Sequence, residues 1–291
     1  MAETEIKAAK PRRIADSGYR SVVSYVISFI LSVFLLLATV CAVAYLCVFS
    51  ESHLISLLEN GYYEGVLKNV VTSTEDITMP TGIDISVVDG VFDTETVKRD
   101  VDGYIKAAFR GEEYVPDTAD SDARLYRNVS EFLDSHDVTL VEDKKDTINA
   151  YINEVNAVYA KYTRLPGLGM ISEYRAKYVK PVGIAFIALA VLSAVLAAVI
   201  IKMYHHPHRG MRFIAYAFGG TALMSFAAPL ALLVSGRYER IQLSPEHFYR
   251  FVVDYISDAL TGCIIAAAVW LVLTIACVAA IYFMRKKLLQ N

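Results

Sequence analysis

Four stretches of this chain are too long and too apolar to form the interior of an ordinary water-soluble domain. They cover residues 22–49, 181–204, 211–235 and 260–284, and their only charges, Lys202 and Arg212, stand near the ends. A helix crosses the ~30 Å hydrocarbon core of a bilayer in about 20 residues. Backbone groups in lipid must find their hydrogen bonds within the protein, which favours helices. The runs are too uniform to be the alternating strands of a barrel. They predict an all-α integral membrane protein with four transmembrane helices, and an extracytoplasmic helical-bundle domain inserted between the first and second. The composition agrees, since 55% of the 291 residues are hydrophobic, above the roughly 45–50% of soluble chains.

Charge gives the expected orientation. Lys7, Lys10, Arg12, Arg13 and Arg20 precede the first run, Lys202, Arg209 and Arg212 flank the second connection, and Arg285, Lys286 and Lys287 follow the fourth run. These eleven bases are accompanied by only three acids, Glu3, Glu5 and Asp16, whereas the rest of the chain carries 28 acids and 17 bases. Basic flanks stay on the cytoplasmic side of a membrane. An even number of spans puts all three flanks on that side. The expected order is a cytoplasmic N-terminus (1–21), a first span (22–49), an outward acidic helical domain (50–180) and a second span (181–204). A cytoplasmic hairpin (205–210), a third span (211–235), an outward loop (236–259), a fourth span (260–284) and a cytoplasmic C-terminus (285–291) follow. The first run exceeds the 7–15-residue apolar core of a cleavable signal and reads as an anchor, although "AVA" at 42–44 has the small-x-small form of a cleavage site.

The segment 50–180 has helical periodicity. Asp93 is placed to cap a helix that runs through Arg110 and stops at Gly111, with Val97, Val101, Tyr104, Ile105, Ala108 and Phe109 as its apolar stripe. Leu125, Val129, Phe132 and Leu133 make a second stripe; Ile148, Ile152, Val155, Tyr159 and Tyr162 make a third. The first span is expected to continue outward through "HLISLLENGYYEGVLKNVV", weakened at Gly61 and Gly65. "MPTGIDISVVDG" (79–90) reads as a loop or short helix. Pro181 is expected in the first turn of the second span, with Tyr174 and Tyr178 at the outer interface. Ser244 and Pro245 predict the start of a helix whose apolar face is Phe248, Phe251, Val252, Tyr255 and Ile256, lying in the interface or against the bundle.

Residues that could carry chemistry are few. His205, His206 and His208 are three imidazoles in four positions, yet no acid or cysteine stands beside them to complete a four-ligand site. The hairpin, broken by Pro207 and Gly210, reads as a basic turn that meets lipid phosphate or a partner. Asp117, Asp120 and Asp122 offer oxygen ligands but lack the glycine and terminal acid of a calcium loop. Cys41, Cys47, Cys263 and Cys277 all fall in the apolar runs, and a cysteine-free outward domain points to a bacterial envelope. No phosphate loop, nucleophile elbow or zinc-protease motif occurs, so no catalytic residue, cofactor or metal is assigned. The spans hold no interior acid or base of the kind that marks an ion path.

Small residues at Ala190, Ala194 and Ala198, at Ala215 and Gly219, and at Gly262 and Ala266 offer close-packing faces for oligomers or partner helices. Pro229 is expected to kink the third span, and Trp270 to pack or face lipid. The expected partners are the lipid bilayer and a protein, with no nucleic acid. The arrangement of spans is similar, in topology only, to FtsX-like and MacB-like permease subunits, which also place a large outward domain after the first span. That resemblance implies a membrane subunit of a transport complex, but the connection between the second and third spans here is far shorter than theirs. The sequence itself predicts a non-enzymatic plasma-membrane protein with an outward helical domain for partner binding or sensing.

Overall fold

The computed structural model of the protein describes residues 12–58, 61–136, 142–204 and 206–290, without the side chains of 12–18, 142–144 and 287–290. The described residues are helical and contain no strand. Four helices are long and apolar enough to cross a membrane. The chain divides into two compact units: one comprises Met1–Leu46, Pro181–Arg237 and Ser257–Asn291, the other Cys47–Lys180 and Tyr238–Ile256.

In the first unit, α1 (Arg12–Val43) packs on α8 (Pro207–Ser235). Ser28 Oγ donates to the Phe213 carbonyl at 2.7 Å and Thr221 Oγ1 to the Ser32 carbonyl at 3.1 Å. The bonds climb both helices together, so α1 and α8 run parallel. Leu31, Leu35, Phe213, Ile214 and Ala217 fill the seam, and Ile200 of α7 (Leu168–Lys202) joins them. Trp270, on α9 (Glu246–Gln290), donates from Nε1 to Thr39 Oγ1 at 2.9 Å and packs on Phe218. It is a packing residue. The hydroxyls at Ser24, Ser28, Ser32 and Thr39 form a buried stripe on α1, and in lipid such side chains tie helices together by hydrogen bonds.

Three expectations about these helices are corrected. Pro207 begins α8 rather than breaking it, because a proline at the first helical position gives up only a donor that is unused there. Gly210 lies inside α8, where an added Cβ would stand 2.9 Å from Ile201 Cα, so it is a close-approach residue, not a breaker. The connection is therefore shorter than expected, with α7 ending at Lys202 and α8 beginning at Pro207. Pro181 is inside the 35-residue α7 rather than in its first turn; "ISEYRAKYVKP" and the following apolar run are one helix. Ala190, Ala194 and Ala198 are exposed, whereas Ala215 is buried and Gly219 faces Thr274.

The second unit is built from α2 (Glu51–Leu58), α3 (Tyr62–Thr78), α4 (Thr94–Arg110), α5 (Ala119–Ser135), α6 (Glu142–Thr163) and the first turns of α7 and α9. The first span does not continue into it as one rod. A π-helical turn at Ala44–Val48 is followed by a break at residues 49–50, and a second break precedes α3 at Gly61, whose φ of 81° suits glycine. Gly65 is no break; it lies within α3.

The α4 reading holds in detail. Asp93 accepts from the Thr96 amide at 2.7 Å, and Gly111 ends the helix with φ 74°. Its stripe, together with Leu125, Val129, Ile148, Ile152, Val155 and Tyr159, enters one core with Val66 and Val70 of α3. The 79–90 segment forms two 3-10 turns, Met79–Thr81 and Ile85–Val88, which bury Val87 and Val88. The 246–256 segment is the start of α9, not a separate helix, and it packs against this core through Phe251, Phe248, Val252 and Tyr255.

Candidate functional site

The most built polar features of the second unit are a buried acid and a cleft. Asp100 has no exposed surface, although its helix carries it at the edge of the apolar stripe. Its two oxygens accept from Tyr159 Oη at 2.6 Å, Tyr114 Oη at 2.9 Å and Arg99 Nε at 3.1 Å. The Tyr114 ring reaches it by crossing α4 at Gly103, where any Cβ would lie 2.4 Å from the ring. Burial, and then the bond to Asp100, pushes the Tyr114 phenol up to about 12, and the same two causes raise Tyr159. Both phenols therefore stay protonated as donors at neutral pH. Tyr114 also walls a shallow hollow with Tyr104, Glu112, Glu113 and Arg164. The Arg164 guanidinium stands 5.4 Å from the Tyr104 ring centroid.

The cleft, of about 290 Å³, lies between the first turns of α3 and the first turns of α9. Glu64, Lys68 and Asn69 line it from α3; Glu246, His247, Arg250 and Asp254 line it from α9. Arg250 pairs with Glu246 one turn away. At the cleft wall Tyr62 is 3% exposed, and its hydroxyl has no hydrogen-bond partner among the described residues. The His247 and Tyr62 rings meet at 82°, edge to face, with centroids 4.9 Å apart. The cleft is thus lined by side chains of both charges, with the Tyr62 hydroxyl buried in its wall.

No protein family, curated protein or solved structure matches this chain.

The residues singled out in the sequence are dispersed. His206 and His208 stack with ring centroids 5.6 Å apart at the start of α8, while His205 lies outside the described residues. The three aspartates are engaged in building α5. Asp117 Oδ1 accepts from the Ala119 amide at 3.2 Å, Asp120 sits in the first turn, and Asp122 accepts from Asn156 Nδ2 at 2.7 Å and from Thr118 Oγ1 at 3.2 Å. Arg20, Lys202, Arg209, Arg212, Arg285 and Lys286 are exposed, and the side chains of Arg12, Arg13 and Lys287 lie outside those described.

Sequence reasoning missed the Asp100 cluster, the cleft and the hydroxyl stripe. The stripe had a signal: Ser24, Ser28 and Ser32 recur every four residues within an apolar run. Asp100 had a weaker one, an acid beside Val97 and Val101 on the helix's buried side. The cleft had none, because its walls are 178 residues apart at Asn69 and His247.

Proposed function

We propose that this chain is a multi-pass plasma-membrane protein, with both termini cytoplasmic, whose acidic helical unit faces outward and binds or senses a protein partner without catalysing a reaction. The observation that carries the reading is the charge division: eleven bases and three acids on the three short flanks, against 28 acids and 17 bases elsewhere. Lysine and arginine are costly to translocate, so the basic flanks stay inside and the acidic unit is carried out. The stretch 50–180 holds no cysteine, so its core alone holds it together, and we read its setting as a bacterial envelope.

The binding part of the reading rests on the cleft lined by Glu64, Lys68, Asn69, Arg250 and Asp254. It is concave, polar and built on helices. A transport-complex subunit, similar in topology to FtsX-like and MacB-like permeases, is the competing reading. It would need a cytoplasmic surface for an ATPase, and the short connection between α7 and α8 provides little.

Photo-crosslinking in native membranes separates the two. With a photoreactive residue at Lys68, the proposal expects adducts to an extracytoplasmic protein, and with one at Arg209 none to an ATPase. An ATPase captured at 209, with nothing captured at 68, overturns it.

A further inference from the structure

The start of α9 is held to α3 at one tightly fitted point. A Cβ on Gly65 would lie 2.5 Å from His247 Cβ, so the glycine is what lets the imidazole seat against α3. One turn on, Asn69 Nδ2 stands 3.2 Å from His247 Nδ1. With the amide nitrogen turned to the ring, a neutral Nδ1 can accept from it. The Tyr62 ring meets the imidazole at 82° and meets Phe251 at 5.8 Å, so one side of the half-buried histidine is backed by aromatic carbon while another lines the cleft.

We propose that His247 is a pH-dependent latch: in its neutral form it holds the first turns of α9 against α3, and on protonation it releases them.

The charged groups around the ring do not decide its state by themselves. Glu64 and Lys68 face the cleft from α3, and Glu246, Arg250 and Asp254 face it from α9, while α2 contributes only Leu57. Glu246 is engaged with Arg250, leaving two acids and one base. Tyr62, the titratable group touching the ring, is raised by burial and stays a neutral phenol. The cost of burying an imidazolium is then the larger effect, and burial holds His247 below the ordinary histidine value.

The sign follows. Neutral in both states above about pH 6.5, the histidine lets the contact keep its full strength there. As pH falls from about 6.5 toward the depressed value of the packed ring, the released segment takes up the proton first and the contact weakens, the loss being complete below that value. Rotating the Asn69 amide would restore one hydrogen bond to a protonated Nδ1, but it would leave the charge buried against Tyr62. The latch does not depend on which side of the membrane it stands. That it reads external pH rests on the outward placement proposed above.

Hydrogen exchange on the intact chain in lipid nanodiscs tests it, at about pH 7.5 and about pH 5.5, with rates corrected for intrinsic exchange. The latch predicts that amides of 248–256 lose protection at the lower pH while those of α5 keep theirs. His247→Gln, which cannot gain a proton, is expected to stay protected at both. Equal protection of the wild type at the two pH values overturns the proposal, as does an equal acid loss in the variant. Should the variant lose protection at both, the wild-type imidazole titration followed by NMR decides: a midpoint below about 6.5 supports the latch, and one at or above it sinks it. Exchange reports the latch alone, so its failure would leave the topology untouched.

Discussion

Asp100 shows how much of this domain hangs on single polar atoms. Tyr159 and Tyr114 each aim a hydroxyl at it from elsewhere in the unit, so the acid pins α4 to α6 and to the chain that follows Gly111. Replacing it with alanine removes the acceptor and leaves two largely buried donors unmatched, each costing about 1–3 kcal/mol. Thermal unfolding of the detergent-solubilised chain, followed by circular dichroism, should show Asp100→Ala destabilised by at least that amount. Asp100→Asn should suffer less, since an amide keeps the shape and one acceptor. An Asp100→Ala variant within about 0.5 kcal/mol of the wild type would mean that the two phenols find other partners. A lone aspartate beside two valines cannot reveal such a tie in the sequence, because its partners lie 14 and 59 residues away.

At the scale of helices, local rules were the most legible. Asp93, Gly111 and the apolar stripes of α4, α5 and α6 act within one or two turns, and they fixed those helices as read. The misreadings came where tertiary context changes a residue's meaning. Pro181, expected to start a helix, lies inside one, and Pro207, expected to break one, starts it; only neighbouring structure chooses between these roles. The α1–α8 seam was passed over in the sequence: Ser24, Ser28 and Thr39 through their hydroxyls, and Ser32 through its carbonyl, tie α1 to its neighbours.

Interhelical bonds of this kind average about 0.6 kcal/mol in membranes. Ser28→Ala and Thr221→Val should therefore cost little singly, and a double variant close to their sum, because the two bonds share no atoms. Unfolding of the reconstituted chain would measure it. A single substitution costing more than about 1.7 kcal/mol would contradict this picture of the seam.

For the whole molecule, the division of the chain differs from the linear order of the sequence. The second unit is not 50–180 alone: it also takes 238–256, whose Phe251 is buried in the same core. The sequence placed that segment's helix either in the interface or against the bundle, and contacts to residues nearly two hundred positions away decide for the bundle. The four long apolar helices, by contrast, could be read directly, since crossing a bilayer sets a length and a composition that few other structures require. Orientation in the membrane can be tested directly. The four native cysteines lie at 41, 47, 263 and 277, so single cysteines at 120 and 206 in a chain with those four replaced give clean reporters. Labelling with a membrane-impermeant maleimide in intact cells should modify Asp120→Cys at once and His206→Cys only after permeabilisation. Modification of position 206 from outside, with position 120 protected, would contradict the account.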